Sequence, residues 1–351
     1  MRKLASLLPD RVKLALLKRH LARSSGGAGP MLALLDQPEA RSPLQVLLRK
    51  GEFGIEVGLD LAAAMNRPFV YHMLYARLPT VLRIFSRSGP NVRMVAADLS
   101  DGSDPPVRAL AFSPCRLAFC SCRDNVILVP DPVFVNSDGY AEFRGLRSVL
   151  PWSRRRDTVL WRGSSTGIGE VTTDTMRADD PRLRQRVRMC LILHSTTGAD
   201  VKIRKIEGGA SPIDRDRLVR FGLLGRKIRQ AEWGRYKFAL DVDGHSNAWS
   251  NFFVRLLLGC CVLKIQSQHG FRQWYYDRLK PWRHYVPVRA DMSDLVEKID
   301  WCWSHDAECA EIASVGQAFA HAMTVDSEIA EAVRQLEAAE SCGLAVAAGA
   351  P

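Results

Sequence analysis

The sequence predicts an α/β protein built on two doubly wound sheets, and three observations carry that expectation. Short apolar runs alternate with longer stretches of helical periodicity, which is the pattern of β-α-β units. The chain has 351 residues, enough for two hydrophobic cores, and its 47% hydrophobic and 25% charged residues exclude a disordered class. Several apolar runs end in polar glycine turns, at Asp98 to Gly102, Trp161 to Gly167 and Asp241 to Gly244, so the chemistry gathers at strand ends.

Residues 1–40 form a basic segment. Arg2, Lys3, Arg11, Lys13, Lys18, Arg19 and Arg23 face a single acid, Asp10, with Leu4, Leu7, Leu8, Val12, Leu16, Leu17 and Leu21 between them. This predicts an amphipathic helix, followed by a flexible Ser24-Ser-Gly-Gly-Ala-Gly-Pro30 linker. Two readings stand side by side: a helix in peripheral contact with an anionic membrane, or one packed on the protein with a solvated basic face. No apolar run here is long enough for a signal-peptide core or a spanning helix, which points to a cytoplasmic protein.

Residues 41–153 read as a first nucleotide-fold domain. It has an apolar segment from Val57 to Met65, a strand at Pro68 to Tyr71, a helix from Leu74 to Phe85 and a strand from Val92 to Ala97. Leu117 to Cys120 and Val126 to Val129 follow as buried strands. The run Arg154-Arg155-Arg156-Asp157 marks a junction. Residues 154–325 then read as a second domain with strands at Thr158 to Trp161, Val201 to Ile206, Lys237 to Val242 and Cys260 to Ile265. Helices are expected at Pro181 to Leu193, Asp214 to Arg229, Leu295 to Trp303 and Ala307 to Met323. Residues 326–351 give a last helix, Asp326 to Ala339, and a small-residue tail expected to be disordered.

The net charge of +11 implies an anionic partner without choosing among nucleotide, nucleic acid and lipid. The positive residues are dispersed and match no nucleic-acid motif, so no nucleic-acid partner is expected, although a basic nucleic-acid-binding protein is the alternative of a different class. Nine cysteines, with no framework spacing, read as reduced and mostly buried thiols. Cys120 and Cys122 lack a second pair at zinc-finger spacing, and no metal site is expected there.

Three strand ends could carry chemistry. Arg162-Gly163-Ser164-Ser165-Thr166 offers a tight turn, hydroxyls, amides and a fixed cation to phosphate oxygens. Gly244, leading into Ser246, Asn247, Trp249, Ser250 and Asn251, presents a helix start whose free N–H groups suit an anion. Asp98 and Asp101 end a strand of the first domain, where a carboxylate can take a proton from a hydroxyl or, more blandly, cap the turn. The pair Asp241 and Asp243 lies on one strand face, as metal chelation would need, but reads better as a strand terminus beside a donor pocket. His245 and His284 read as structural hydrogen-bonding residues, and the tryptophans mainly as core.

Taken together, Trp161-Arg-Gly-Ser-Ser-Thr-Gly, Arg235-Tyr-Lys-Phe with Asp243-Gly244, Val262-Leu-Lys264, and Leu279-Lys-Pro-Trp-Arg-His-Tyr-Val-Pro-Val288 with Asp291-Met-Ser-Asp-Leu295 resemble glycosyltransferase family 90. The resemblance covers about residues 90 to 322. It implies a GT-B architecture, two Rossmann-like domains facing a central cleft, and inverting transfer from a UDP-sugar without a metal or other cofactor. The family includes lipopolysaccharide- and capsule-associated transferases and protein O-glucosyltransferases, so the implied reaction moves a glucose- or xylose-type sugar to a hydroxyl of a glycan or glycolipid acceptor. Carried over by motif, the base falls on Asp101, with Asp98 the fallback, and the diphosphate-contacting serine on Ser164. Where protein O-glucosyltransferases carry an arginine in the donor loop this chain has Ser250-Asn251, which leaves Arg184, Arg186 and Arg255 as candidates for the countercharge. A non-catalytic scaffold with the same fold is the remaining alternative.

Overall fold

The computed structural model describes residues 8–24, 31–37, 42–102, 116–146, 149–207 and 211–341. The expected linker between residues 25 and 30 and the tail from 342 onward lie outside the described residues, as do Arg2, Lys3, Leu4 and Leu7 of the basic segment. The chain forms two compact units. The first comprises residues 1–139, 272–274 and 324–351, and the second residues 140–271 and 275–323.

The first unit holds a six-stranded mixed sheet: β1 (Met31–Asp36), β2 (Gln45–Lys50), β3 (Gly54–Leu59), β4 (Met94–Asp98), β5 (Arg116–Ala118) and β6 (Ile127–Leu128), in the order β1-β3-β2-β4-β5-β6. β2 runs antiparallel to both β3 and β4, so this sheet is not the all-parallel one that alternation suggests. The β2–β3 connection is a tight hairpin around Gly51, where Gly51 N donates to the Gly54 carbonyl at 2.8 Å. Neither β1 nor β2 was expected from the sequence, since their apolar content is short and flanked by polar residues.

The Pro68–Tyr71 stretch is not a strand. It is the first turn of a helix, Pro68–Arg87, that buries Val70, Leu74, Leu78, Ile84 and Phe85. Proline has the fixed φ that a first helical turn needs and lacks the N–H that such a turn leaves orphaned, and this outweighs the strand preference of Phe, Val and Tyr. The basic helix spans Asp10–Ser24 and packs against this same helix, with Leu17 and Leu21 fully buried and the Lys13 ammonium donating to the Met65 carbonyl at 2.7 Å. Leu17 and Leu21 are therefore covered by protein, while Val12 and Leu16 stay 36 and 44% exposed. Among the described residues no helix is long and apolar enough to cross a membrane.

The second unit is a parallel sheet of five strands, β7 (Arg156–Ser164), β8 (Ala199–Lys205), β9 (Tyr236–Asp241), β10 (Cys261–Ile265) and β11 (Val286–Val288), in the order β11-β10-β9-β7-β8. Its strands are near-continuous apolar runs because helices cover both faces. The four expected helices are present, two of them shorter than expected. One spans Gln185–Leu193, because Asp180 to Leu183 is occupied by a turn and a bridge to Glu170. Another spans Pro212–Arg220 and stops before Gly222, whose φ of +62° breaks the helical path. The Ser250–Leu257 helix lies against β10 and the Asp306–Ala322 helix, with Phe252, Phe253, Val254 and Leu256 fully buried.

Phe252 carries this packing: its ring meets Tyr275, Tyr276 and Tyr285 at centroid distances of 6.2, 5.9 and 5.7 Å. Phe252→Ala is expected to destabilise the protein by roughly 3–5 kcal/mol in denaturant unfolding, through lost transfer energy and an unfilled cavity.

Candidate functional site

From β7 the chain moves to β8 on one side of the second sheet and then returns to β9 on the other. The winding direction thus reverses between β7 and β9, and open parallel sheets bind ligands at the carboxyl ends of the strands flanking such a reversal. The turns that follow β7 and β9 are Ser164 to Gly169 and Val242 to Trp249.

Arg186, in the first turn of the Gln185–Leu193 helix, ties those two turns together. Its Nε donates to the Asp243 carbonyl at 2.9 Å and its Nη2 to the Val242 carbonyl at 3.1 Å. Its Nη1 donates to Thr166 Oγ1 at 2.6 Å and the Ser164 carbonyl at 3.2 Å. Burial lowers the pKa of Arg186 and the Asp241 and Asp243 charges oppose that shift, so the group stays a cation. The two turns come so close that a Cβ on Gly244 would stand 2.9 Å from Thr166 Oγ1 and 3.2 Å from Arg186 Nη2, which is why glycine is required there. Arg184 holds the first turn from outside, donating to the Gly169, Ser165 and Glu207 carbonyls. Ser165 is fully buried and its hydroxyl accepts from Glu207 N at 3.0 Å.

Arg162 is placed differently. Its Nη2 reaches both Asp200 carboxylate oxygens at 2.6 Å, Nη1 donates to the Trp161 and Asp200 carbonyls, and Nε donates to the Arg226 carbonyl. The Asp200 bonds brace β7 to β8 and the Arg226 bond ties in the segment beyond, so the guanidinium has no donor left over for a phosphate. Gly163 is equally structural, since a Cβ there would fall 2.4 Å from the Trp161 ring.

Beneath β9 lies a buried ion pair. Asp241 has no exposure; its Oδ2 accepts from Lys264 Nζ at 2.9 Å and its Oδ1 from Asn251 Nδ2 at 2.8 Å. Burial acts to lower the pKa of Lys264, but the Asp241 and Asp243 charges prevail and raise it, so the pair is ionised. With both oxygens taken, Asp241 is not presented as a metal ligand. Asn251 is thereby turned toward Asp241, and its Oδ1 accepts from Arg255 Nε at 3.2 Å. Arg255 is 3% exposed and lies 3.5 Å over the Trp233 ring, which makes it core.

Asp243, Ser246 and Asn247 are 6, 2 and 3% exposed. The Ser246 hydroxyl and the Asn247 amide nitrogen have no hydrogen-bond partner among the described residues. Neither oxygen of Asp243 closes a hydrogen bond of ordinary geometry, although the Ser267 side chain lies near enough to favour its anion. Burial nevertheless pushes the Asp243 carboxyl up to about 6, against the pull of Lys264. Gly167, Gln185, Asp243, Gly244, Ser246 and His269 line a narrow cleft with room for little more than a water molecule, about 10 Å³. Asn247 Oδ1 accepts from Trp249 N at 2.5 Å, and Trp249 takes a left-handed φ of 50° that aims the chain into the helix beginning at Ser250. His284 is structural, its Nδ1 accepting from Lys280 N at 2.8 Å.

In the first unit, Asp98 ends β4 and its Oδ1 accepts from Ser100 N at 2.8 Å, as a turn cap does. Asp101 is bound by Arg77 Nη2 at 2.6 Å with its side chain 46% exposed, so one carboxylate oxygen is positioned and the group remains reachable. Among the described residues one cluster has metal-ligand chemistry: the buried thiols of Cys261, Cys302 and Cys309, within 4.8 Å of one another in the core of the second unit. The described cysteines are all free.

Sequence reasoning gave Lys264 no role beyond its place in the family motif, and weighed Asp241 and Asp243 as a metal site or a strand terminus beside a donor pocket rather than as partners of a buried lysine. The available signal was a lone lysine inside the apolar run Cys260 to Ile265, which requires a buried anion next to it.

Comparison with known proteins finds the glycosyl transferase family 90 pattern over residues 140–330, more than half of the chain. That span contains β7 to β11 and both turns, whereas Asp98 and Asp101 lie outside it. The uncharacterized protein 035R of Invertebrate iridescent virus 3 is 34% identical over 175 residues, 47% of this chain and 15% of that protein. Protein O-glucosyltransferase 2 of Danio rerio is 37% identical over 100 residues, 28% of this chain and 19% of that protein. The chain thus spans less than a fifth of the length of these relatives. A crystal structure of Anabaena HepE in complex with UDP-glucose superposes with a TM-score of 0.34 at 11% identity, over 54% of this chain and 50% of that one.

Two variants separate the buried charges. Lys264→Met leaves Asp241 buried without its cation and is expected to cost roughly 3–5 kcal/mol of stability. Asp243→Asn should do the opposite. The folded protein holds the Asp243 proton more tightly than the unfolded chain, so this group's contribution to stability falls as pH rises from about 4 through about 6. Removing the charge is therefore expected to raise stability at pH 7 by on the order of 3 kcal/mol, with the gain fading as pH falls from about 6 to about 4. Thermal melts of both proteins across that range check the sign.

Proposed function

Because the chain belongs to glycosyl transferase family 90, we propose that it is a glycosyltransferase whose second unit holds a UDP-sugar over the turns after β7 and β9. The observation that carries this reading is the pair of buried polar groups Asp243 and Ser246, which line the cleft without adequate partners among the described residues, with the buried Asn247 amide beside them in sequence equally unsatisfied. Burying such groups costs about 1–3 kcal/mol each unless a ligand completes their hydrogen bonds.

In this proposal the Ser164 and Ser246 hydroxyls and the N–H groups of the two turns receive the diphosphate. Asp243 accepts hydrogen bonds from hydroxyls of the donor. The Arg186 cation, held against both turns, supplies the positive field in which the leaving diphosphate develops charge. The commitment of Asp241 to Lys264 and Asn251 supports transfer without a bound metal. Asp101, with one oxygen held by Arg77, acts as the base that takes the proton of the attacking hydroxyl, and attack opposite to the leaving group inverts the anomeric centre. The reading includes the GT-B arrangement that the resemblance implies. Transfer of a glucose- or xylose-type sugar to a glycan or glycolipid hydroxyl in lipopolysaccharide or capsule synthesis, at the cytoplasmic side of a membrane, completes it.

A thermal-shift panel of nucleotide sugars, each with and without EDTA, tests this reading. UDP-sugars are expected to raise the melting temperature equally in both conditions, and a panel with no response to any uridine nucleotide would reject the proposal. Asp101→Asn is expected to keep donor binding and to lower turnover by roughly 10²-fold or more, measured by UDP release.

A further inference from the structure

A second concavity opens on the far side of β8 from β7. Arg204, Lys205, Arg215 and Arg226 line it together with Leu224 and Gly225, around a volume of about 480 Å³. The four cations arrive on three pieces of fixed backbone. Arg204 and Lys205 end β8, and Arg215 belongs to the Pro212–Arg220 helix, whose start is closed by a Ser211–Asp214 capping box. Arg226 follows a segment pinned to β8, in which Ile203 N donates to the Leu223 carbonyl at 2.8 Å and Gly225 N to the Ile203 carbonyl at 2.9 Å.

That segment can lie so close only because residue 225 has no side chain, since a Cβ would stand 2.5 Å from the Lys202 Cβ. Arg162 anchors it from below by donating to the Arg226 carbonyl at 3.1 Å. Lys205 pairs with Glu207 at 2.5 Å. No described acid pairs with Arg204, Arg215 or Arg226. Three guanidinium groups therefore converge from separate elements on one hollow with a single acid beside them. A folded protein ordinarily separates or pairs such charges, because crowding them is unfavourable and raises a local positive potential.

We propose that this hollow is a phosphate-binding site, separate from the donor cleft, that takes an oligophosphate or a phosphorylated group through bidentate arginine contacts. Guanidinium groups match phosphate geometry with two parallel hydrogen bonds each, and three of them suit adjacent phosphates better than a lone carboxylate. The hollow shares no lining residue with the cleft at the turns after β7 and β9.

The test uses the full chain and two double variants, Arg204→Ala with Arg226→Ala and Arg204→Ala with Arg215→Ala, all exposed positions whose truncation spares the core. Melting temperature is measured with inorganic pyrophosphate, in the presence and absence of saturating UDP, and binding is measured to vesicles of phosphatidylglycerol against phosphatidylcholine. Pyrophosphate is expected to raise the melting temperature with or without UDP, and both variants to weaken its apparent affinity at least ~10-fold while keeping the wild-type response to UDP. A response to anionic vesicles alone, lost in the variants, keeps the site and assigns its ligand to a lipid headgroup. No response to either probe, or a response that both variants retain, overturns the proposal. Because neither readout depends on sugar transfer, a protein that fails to bind UDP still decides this question.

Discussion

A carboxylate with no exposure, Asp241 at the end of β9, is the constraint on which the second unit is organised. An anion in that position destabilises the fold unless a cation and a hydrogen-bond donor are delivered to it. The sheet delivers the cation by register, since Lys264 on β10 is the residue directly opposite Asp241. The first turn of the Ser250–Leu257 helix delivers the donor, Asn251. Both partners fix where the chain must go after β9: out through Gly244, across the end of β7, and back through the left-handed Trp249 to start that helix. The unpartnered groups of the intervening turn follow from that path.

The arginines divide by the rigidity of what they hold. Arg162 and Arg184 are spent on carbonyls and on Asp200, so they set the spacing of β7, β8 and the turn beyond them. Arg186 is also spent on carbonyls, yet its charge sits between the two turns, where it acts through its field rather than through a free donor. Such an arrangement avoids moving a long flexible side chain when a ligand arrives, and pre-organised charge is worth most where water is excluded. A cost of another kind appears at Asp243, whose carboxyl burial pushes up to about 6, so that its charge near pH 7 is carried at the expense of stability. Stability has been given up there, and sites that bind often sit at that end of the trade between stability and function.

Much of this was legible in the sequence. The apolar runs at β7, β9 and β10 and the glycines at 163 and 244 marked the strands and the places where backbone must come close. Their order along the chain matched a family pattern. What escaped was decided by contacts distant in sequence. Pro68 starts a helix although aromatic and β-branched residues follow it, because its ring fits a first turn and the later residues have a core to face. β2 pairs antiparallel with two neighbours, which local periodicity does not encode. Arg162 looked like a phosphate ligand because it adjoins Gly163 and Ser164, but Asp200, on the next strand, claims it. Lys264 carried the clearest overlooked signal, a charge inside an apolar strand.

Hydrogen–deuterium exchange of the full chain with and without UDP is the most direct measurement of where the nucleotide sits. Slower exchange is expected in residues 164–169 and 243–251, where ligand hydrogen bonds would complete the buried polar groups, with little change along residues 204–226. Unchanged exchange in both turns under saturating UDP, or slowing confined to other segments, would contradict a donor site at the junction of β7 and β9.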